Sequence, residues 1–306
     1  MLGTGSDLCA MVTFHVLTDF SAAASNALHY AVVLAQHLGG HIKVWHAWAG
    51  AAGIEAAFLQ SSGGVVRPFV QMQQKLQRLA AEVGRTVPCT AEVLHEAPTS
   101  HLQAALGNDT GNVLVVGNAN PVKKLMAATT STALHLVRTV AQPLLVVPAT
   151  FRPARPPRRI VLDTDRRAVR LPPSAGTIPL LLSQVAGSHH PLHLSGAPGE
   201  IEYLLGRLLP EALGIHVYTT EHPPAVEELA RSIQQTGLLN GVAHTVAASR
   251  HPSIEEGIRH AASRHRADLL TFVTRQRMYV GASFYQCVTA GLLAHSRIPV
   301  LTVPEA

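Results

Sequence analysis

The run GNANPVKKLMAATTS, Gly117 to Ser131, lies between a strand-like VLVV and a helix-like TALHLVRTV. A strand that feeds a polar loop and then a helix is where α/β proteins hold phosphate. The free N–H groups of the first helical turn, and the dipole behind them, favour an anion. Thr130 and Ser131 stand where the helix begins, and Lys123 and Lys124 add positive charge to the loop. Gly117 is the loop's one glycine, whereas a phosphate cradle uses several so that backbone N–H groups can come close. The chain has no Gly-x-x-x-x-Gly-Lys-[Ser/Thr] P-loop and no G-x-S-x-G nucleophile elbow.

Two other groupings could bind or react. Asp163 and Asp165 lie two apart on a strand, an arrangement suited to a carboxylate pair or a Mg²⁺ ion. With Arg166 and Arg167 next to them, they read first as local ion pairs. HHPLH (His189, His190, His193) supplies three imidazoles. No carboxylate or thiolate completes a tetrahedral set there, so a metal is not expected. His15, His46 and His95 sit within strands and are expected to be packed or hydrogen-bonded. No grouping assembles an acid, a base and a substrate pocket, so no catalytic residue is assigned.

The elements that position these residues follow from composition and periodicity. The chain has 306 residues, 47% hydrophobic and 14% charged, with a net charge of +5. That describes a globular protein long enough for two domains, and no apolar run reaches the roughly 18 residues of a membrane span. The first residues, MLGTGSDLCA, have neither the basic region nor the apolar core of a secretory signal. Cys9, Cys89 and Cys287 are odd in number and far apart, so a disulfide framework is not expected and a cytoplasmic setting is. Much of the positive charge sits in FRPARPPRRI (Arg152, Arg155, Arg158, Arg159). Such a Pro/Arg stretch reads as a semi-rigid solvated linker, and neither nucleic acid nor membrane is an expected partner.

Cutting at that linker leaves two halves with matching ends. NVLVVGN…STALHLVRTVAQPLLVVP closes the first, and ADLLTFVTR…CVTAGLLAHSRIPVLTVP closes the second. Thr18-Asp19 and Thr164-Asp165 each end the opening strand of their half, and Pro98 and Pro252 are each expected to open a helix. In the first half a strand over Thr13–Leu17 leads to a helix over Ala22–Leu38. Leu28, Ala31, Val32, Ala35 and Leu38 form its apolar face, Ser21 its N-cap and Gly39-Gly40 its stop. Strands over IKVWHAW, TAEVLHEA, NVLVVG and LLVVP then alternate with a helix near Val66–Val83, one after Pro98 and a terminal one. Strict alternation implies a parallel sheet covered on both faces. In the second half, LGIHVYTTE is matched to LGGHIKVWHAW, with GEIEYLLGRLLPEAL as the preceding helix and an insertion at 166–197 holding an extra short helix and strand.

Taken together, VLTDFSAAASNALHYAVVLAQHLGGHIKVWHAW and the closing TSTALHLVRTVAQPLLVVP resemble the universal stress proteins. The resemblance covers Met11 to Pro148 and, in weaker form, Arg159 to Pro304. It implies an α/β fold of two tandem Rossmann-like (adenine nucleotide alpha hydrolase-like) domains, each a five-stranded parallel sheet with helices on both faces. The corresponding division is an extension at 1–10, a first domain at 11–150, a linker at 151–158 and a degenerate second domain at 159–306. The terminal strands, 144–147 and 300–303, are expected to pair within the chain, because an exposed apolar edge strand is a liability. The implied role is stress response by regulatory or protective binding to protein partners, without catalysis.

The family also has an ATP-binding kind, whose loop after the fourth strand reads Gly, two residues, Gly, nine residues, then Gly-Ser or Gly-Thr. Anchored on Gly117, the corresponding positions are Asn120 and Thr130-Ser131, so the spacing is present while two glycines are replaced. A left-handed non-glycine costs roughly 1–2 kcal/mol. By the resemblance, Thr18 and Asp19 would meet an adenine beside Ala47, and Gly117 would lie near the ribose. ATP in the first domain is therefore the second functional reading. In the second domain Thr274, Arg277 and Gln286-Cys287 are matched to the loop, so no ATP is expected there. Arg275 and Arg277 are expected to be solvated.

Overall fold

The computed structural model describes residues 12–48, 66–95, 98–107, 109–119, 132–186, 211–275 and 288–306. In the first half, β1 (Thr13–Leu17), β2 (His41–Trp48), β3 (Cys89–His95), β4 (Asn112–Asn118) and β5 (Leu144–Pro148) alternate with helices. These are α1 (Ala22–Leu38), α2 (Val66–Val83), α3 (Pro98–Leu106) and α4 (Thr132–Thr139). The second half runs β6 (Arg159–Asp163), α5 (Ile178–Ala186), β7 (Glu211–Tyr218), α6 (Val226–Thr236), β8 (His244–Arg250), α7 (Ile254–Arg264), β9 (Leu269–Thr274), α8 (Val288–His295) and β10 (Val300–Pro304).

All ten strands form one sheet, ordered β3-β2-β1-β4-β5-β10-β9-β6-β7-β8. Each half is parallel within itself, and the halves meet where β5 and β10 pair antiparallel, Val300 opposite Val146 and Leu301 opposite Leu145. Every residue of both strands is buried. The strand order of one half is the reverse of the other's, the arrangement of a pseudo-twofold axis through the seam. As expected from their apolar terminal strands, the two five-stranded halves join into one sheet, and its core layers cross the seam. On one face Phe14, Val16 and Leu34 share a cluster with Ile178, Leu181 and Val303; on the other, Leu114 and Leu136 share one with Phe272 and Leu292.

α1 shows how local chemistry sets an element. The Ser21 hydroxyl accepts from the Ala24 amide at 3.2 Å and caps the N-terminus. Gly39 ends the helix at φ 65°, a left-handed conformation glycine adopts without a Cβ penalty. The buried face is rich in alanine (Ala23, Ala24, Ala27, Ala31, Ala35), which lets the helix axis lie close to the sheet. Leu28, Ala31 and Ala35 are buried as periodicity requires, while Val32 and Leu38 are only partly so.

Four sequence expectations need correction. The Pro/Arg linker is anchored as well as solvated, with Arg152, Arg155 and Arg158 exposed and Pro153 and Pro157 buried. Asn26 donates to the Pro148 and Phe151 carbonyls, the Phe151 ring meets Tyr30 edge-on at 5.3 Å, and Arg155 pairs with Asp268 at 3.2 Å. β7 begins at Glu211, so the EAL of GEIEYLLGRLLPEAL is strand, and residues 187–210 lie outside those described. The described part of the 166–197 insertion holds a 3₁₀ turn at Pro173–Ala175 and α5, whose Ile178, Leu181, Leu182 and Val185 are core residues against α1. By its place after β6 and its packing beside α1, α5 is the counterpart of α1. Pro252 precedes the Ser253 cap of α7 rather than opening the helix.

Tyr30 sits in this shared core at 1% exposure, and its hydroxyl finds no hydrogen-bond partner among the described residues. A buried hydroxyl without a partner keeps its desolvation cost. Tyr30→Phe should therefore raise stability by about 1 kcal/mol. A urea titration that shows destabilisation would reveal a partner for this hydroxyl.

Candidate functional site

In each half the first strand and the fourth are neighbours that lead their crossovers in opposite directions. The crevice outside their carboxyl ends is the switch point where open α/β sheets bind ligands. In the first half that point lies between β1 and β4.

The turn leaving β1 is built from its own side chains. Thr18 Oγ1 accepts from the Phe20 amide at 3.0 Å, and Asp19 Oδ1 accepts from the Ser21 amide at 2.9 Å. Phe20 takes φ 62°, an outlier for a bulky residue, which those bonds hold in place. The Thr18 carbonyl can only accept, so His46 donates to it through Nδ1–H at 2.7 Å. The His46 ring lies 4.7 Å from that of Phe20, and Lys75 Nζ stands over the Phe20 ring, 4.2 Å from its centroid. At Asp19, partial burial opposes ionisation. The hydrogen bonds from Ser21 and the nearby His46 outweigh it and hold the carboxyl below its usual range.

Thr18 and Asp19 end β1, exposed Ala47 lies near the end of β2, and Gly117 near the end of β4, so the sheet brings these four to one edge. Asn120, Thr130 and Ser131 fall outside the described residues, as do Lys123 and Lys124 and the HHPLH run. Gly117 has a use that involves no ligand. A Cβ there would lie 2.3 Å from the Ala23 carbonyl oxygen, so glycine is what lets the first turn of α1 rest on β4.

The second half repeats the turn and changes its surroundings. Thr164 Oγ1 accepts from the Arg166 amide at 3.2 Å, Asp165 Oδ1 accepts from the Arg167 amide at 3.1 Å, and Arg166 takes φ 65°. His216 Nδ1–H donates to the Thr164 carbonyl at 2.6 Å. The strand registers make His216 the counterpart of His46, because Leu17 lies opposite Trp45 and Asp163 opposite Ile215. The alignment of LGIHVYTTE on LGGHIKVWHAW is thus five residues out of step.

The same reasoning corrects the loop. Pro148 lies opposite Asn118 and Pro304 opposite Thr274, so the counterpart of Gly117 is Val273, and Thr274 matches Asn118. With a valine in that place, a helix cannot begin on the strand directly after the turn. α5 begins at Ile178, where α1 begins three residues after Asp19.

Arg275, expected to be solvated, is engaged on three sides. Its Nε and Nη2 donate to the two Asp165 oxygens at 2.9 Å each, and Nη1 reaches Glu305 at 2.5 Å. The Asp165 carboxylate pushes the guanidinium's pKa further up. Sequence reasoning missed this network, and it missed Phe20 and Lys75 around the first crevice; His46 is hydrogen-bonded within its strand, as expected. The repeated Thr-Asp was a signal for both turns, but nothing local pointed to partners so distant in the chain.

Asp163 does not join those ion pairs. Its register neighbours Ile215 and Phe272 are core residues, and desolvation together with the Asp165 charge pushes its carboxyl up to about 7. The Asp163/Asp165 pair is therefore split: Asp165 is paired with Arg275, while Asp163 is poised to hold a proton. Elsewhere, Trp45 Nε1–H donates to His15 Nδ1 at 3.0 Å, so His15 Nε2–H donates to Asn112 Oδ1. Among the described residues no group of three or more His, Cys, Asp or Glu could hold a metal, and no helix is long and apolar enough to cross a membrane.

Two measurements test these assignments. Gly117→Ala should cost about 3 kcal/mol through collision with the Ala23 backbone, read by chemical denaturation. Wild-type stability would place α1 further from β4. For Asp163, a folded-state value of about 7 against an ordinary 3.8 means that folding takes up a proton between those pH values. Its contribution is favourable below that window and is lost as pH rises through it. Asp163→Asn should be more stable than wild type above pH 7, on the order of 2 kcal/mol, with the difference vanishing near pH 4. A pH-independent difference would refute the shift.

No family model matches the sequence, and no curated protein does either. Solved structures do match. A universal stress protein from Archaeoglobus fulgidus superimposes with a TM-score of 0.61 at 12% identity, over 96% of each chain. A functionally unknown protein from Pseudomonas aeruginosa covers 97% of this chain and 94% of its own, with a TM-score of 0.50 at 12% identity. At such identity the likeness speaks for fold alone. Over nearly its whole length, the chain has the Rossmann-like α/β fold of a solved universal stress protein.

Proposed function

We propose that the chain is a tandem universal stress protein that acts in stress response by regulatory or protective binding, without chemistry of its own. The observation that carries this reading is the single ten-stranded sheet with its antiparallel seam, superimposable over 96% of both chains on a universal stress protein. The strand-end side chains support it. Thr18, Asp19, Thr164 and Asp165 are spent on hydrogen bonds to their own turns, a structural use rather than a reactive one. Cells that lack the chain should survive oxidant, heat or starvation less well, and the purified protein should release no phosphate from Mg·ATP above background. Unchanged survival under all three stresses would end the first part of the reading, and sustained turnover would end the second.

A second reading, an adenine-nucleotide sensor, is favoured by the state of the first crevice. There Asp19 is ionised, and no described cation spans it. In this reading Thr18, Asp19, Ala47 and Gly117 meet the nucleoside, and Asn120, Thr130 and Ser131 the phosphates. Calorimetric titration with Mg·ATP should show one saturable site per chain, abolished by Asp19→Ala. No heat at millimolar ATP would leave binding to protein partners as the function.

A further inference from the structure

The two crevices share a turn but differ in what spans them. In the second half the ends of three neighbouring strands are bridged by one side chain. Asp165 follows β6, Arg275 follows β9 and Glu305 follows β10, and the guanidinium of Arg275 joins all three. Both of its bonds to Asp165 are 2.9 Å, the fork-to-fork geometry that gives an arginine–carboxylate pair its strength and direction. The Arg275 and Glu305 side chains are largely buried, and the Asp165 side chain is about half exposed, so the bridge spans the rim of the crevice.

The C-terminal end is drawn into the same place. The Glu305 amide donates to the Thr274 carbonyl at 3.0 Å and the Ala306 amide to the Arg170 carbonyl at 2.8 Å. By register the first-half counterparts of Arg275 and Glu305 are Ala119 and Ala149, side chains too short and without the charge to make this bridge.

We propose that Arg275 is the resident occupant of the second crevice, an internal guanidinium that seals it against ligands and fastens the C-terminal end, so that the first crevice is the one that accepts a ligand. The seal itself stands on the geometry of the second half. Its consequence for ligand choice rests on the nucleotide reading above, and the two are tested separately.

The seal is read by hydrogen exchange on the full chain. In Arg275→Ala, the amides of Arg167, Glu305 and Ala306 should exchange at least tenfold faster, while those of β1 and β4 are unchanged. Free guanidinium at low millimolar concentration, far below denaturing levels, should restore part of that protection by filling the vacated place. Glu305→Ala removes only the arm to the tail. It should loosen Glu305 and Ala306 but not Arg167, which keeps the test available if Arg275→Ala does not fold. Unchanged exchange in a folded Arg275→Ala, or in Glu305→Ala, would overturn the seal.

The ligand arm uses a transplant. Ala119→Arg with Ala149→Glu should build the same bridge onto Asp19 and slow exchange at the Ser21 amide. If the wild-type chain binds Mg·ATP, the transplant should weaken that binding at least tenfold. Slowed exchange with undiminished ATP binding would overturn the ligand consequence and leave the seal standing. Absence of ATP binding in the wild type would count against the nucleotide reading alone, since the exchange experiments contain no nucleotide.

Discussion

The structure depends on the pairing of β5 with β10. Both are five-residue apolar strands, and each would be an exposed sheet edge if its half stood alone. Pairing them antiparallel satisfies the backbone of both and continues the sheet from one half into the other. The consequences spread outward. α1 and α5 pack on the same face near the seam, α4 and α8 on the opposite face, and the linker is pinned between Tyr30, Asn26 and Asp268 because it must cross a closed junction. The antiparallel seam also sends the carboxyl ends of the two sets of strands to opposite edges of the sheet. The two crevices are therefore separate sites that cannot share a ligand.

Once separated, the crevices are free to diverge, and the changes in the second belong together. Exchanging Gly117 for Val273 removes the close approach that lets a helix begin on the strand after the turn. The chain then runs on from Arg166 to Thr177 before α5 begins. That segment is tied at Asp165 by Arg275, at Arg170 by the Ala306 amide, and at Ser174, whose buried hydroxyl donates to the Ala141 carbonyl. The strained Phe20 and Arg166 conformations and the His46 and His216 hydrogen bonds persist in both halves. The turn is common architecture, and the difference lies in what stands around it.

Much of the fold was legible in the residues. The 3.6-residue periodicity of α1, its Ser21 cap and Gly39 stop, and the alternation of strand and helix are local chemistry, and the structure agrees with them. So was the repeated Thr-Asp at the strand ends. The residues mislead where a match of letters departs from strand register. LGIH matched LGGH by letter, yet hydrogen-bond register pairs Ile215 with Asp163 and so makes His216 the partner of His46. Thr274 was set against Gly117 when the proline ends of β5 and β10 place Val273 there. Register is a property of neighbouring strands, and a single strand does not contain it.

By itself, the sequence determined an α/β chain of two like halves, where the helices start and stop, and which short strands are too apolar to be left exposed. These follow from side-chain volume, periodicity and backbone preference, which act over a few residues. Only the tertiary structure decided that Gly117 serves the packing of α1, that Asp163 is pushed toward neutrality while Asp165 is paired, and that Arg275 closes one crevice of two. Each of those depends on groups brought together from positions tens to more than a hundred residues apart. Desolvation, ion pairing and close approach act through space, so they take effect only after the chain has folded.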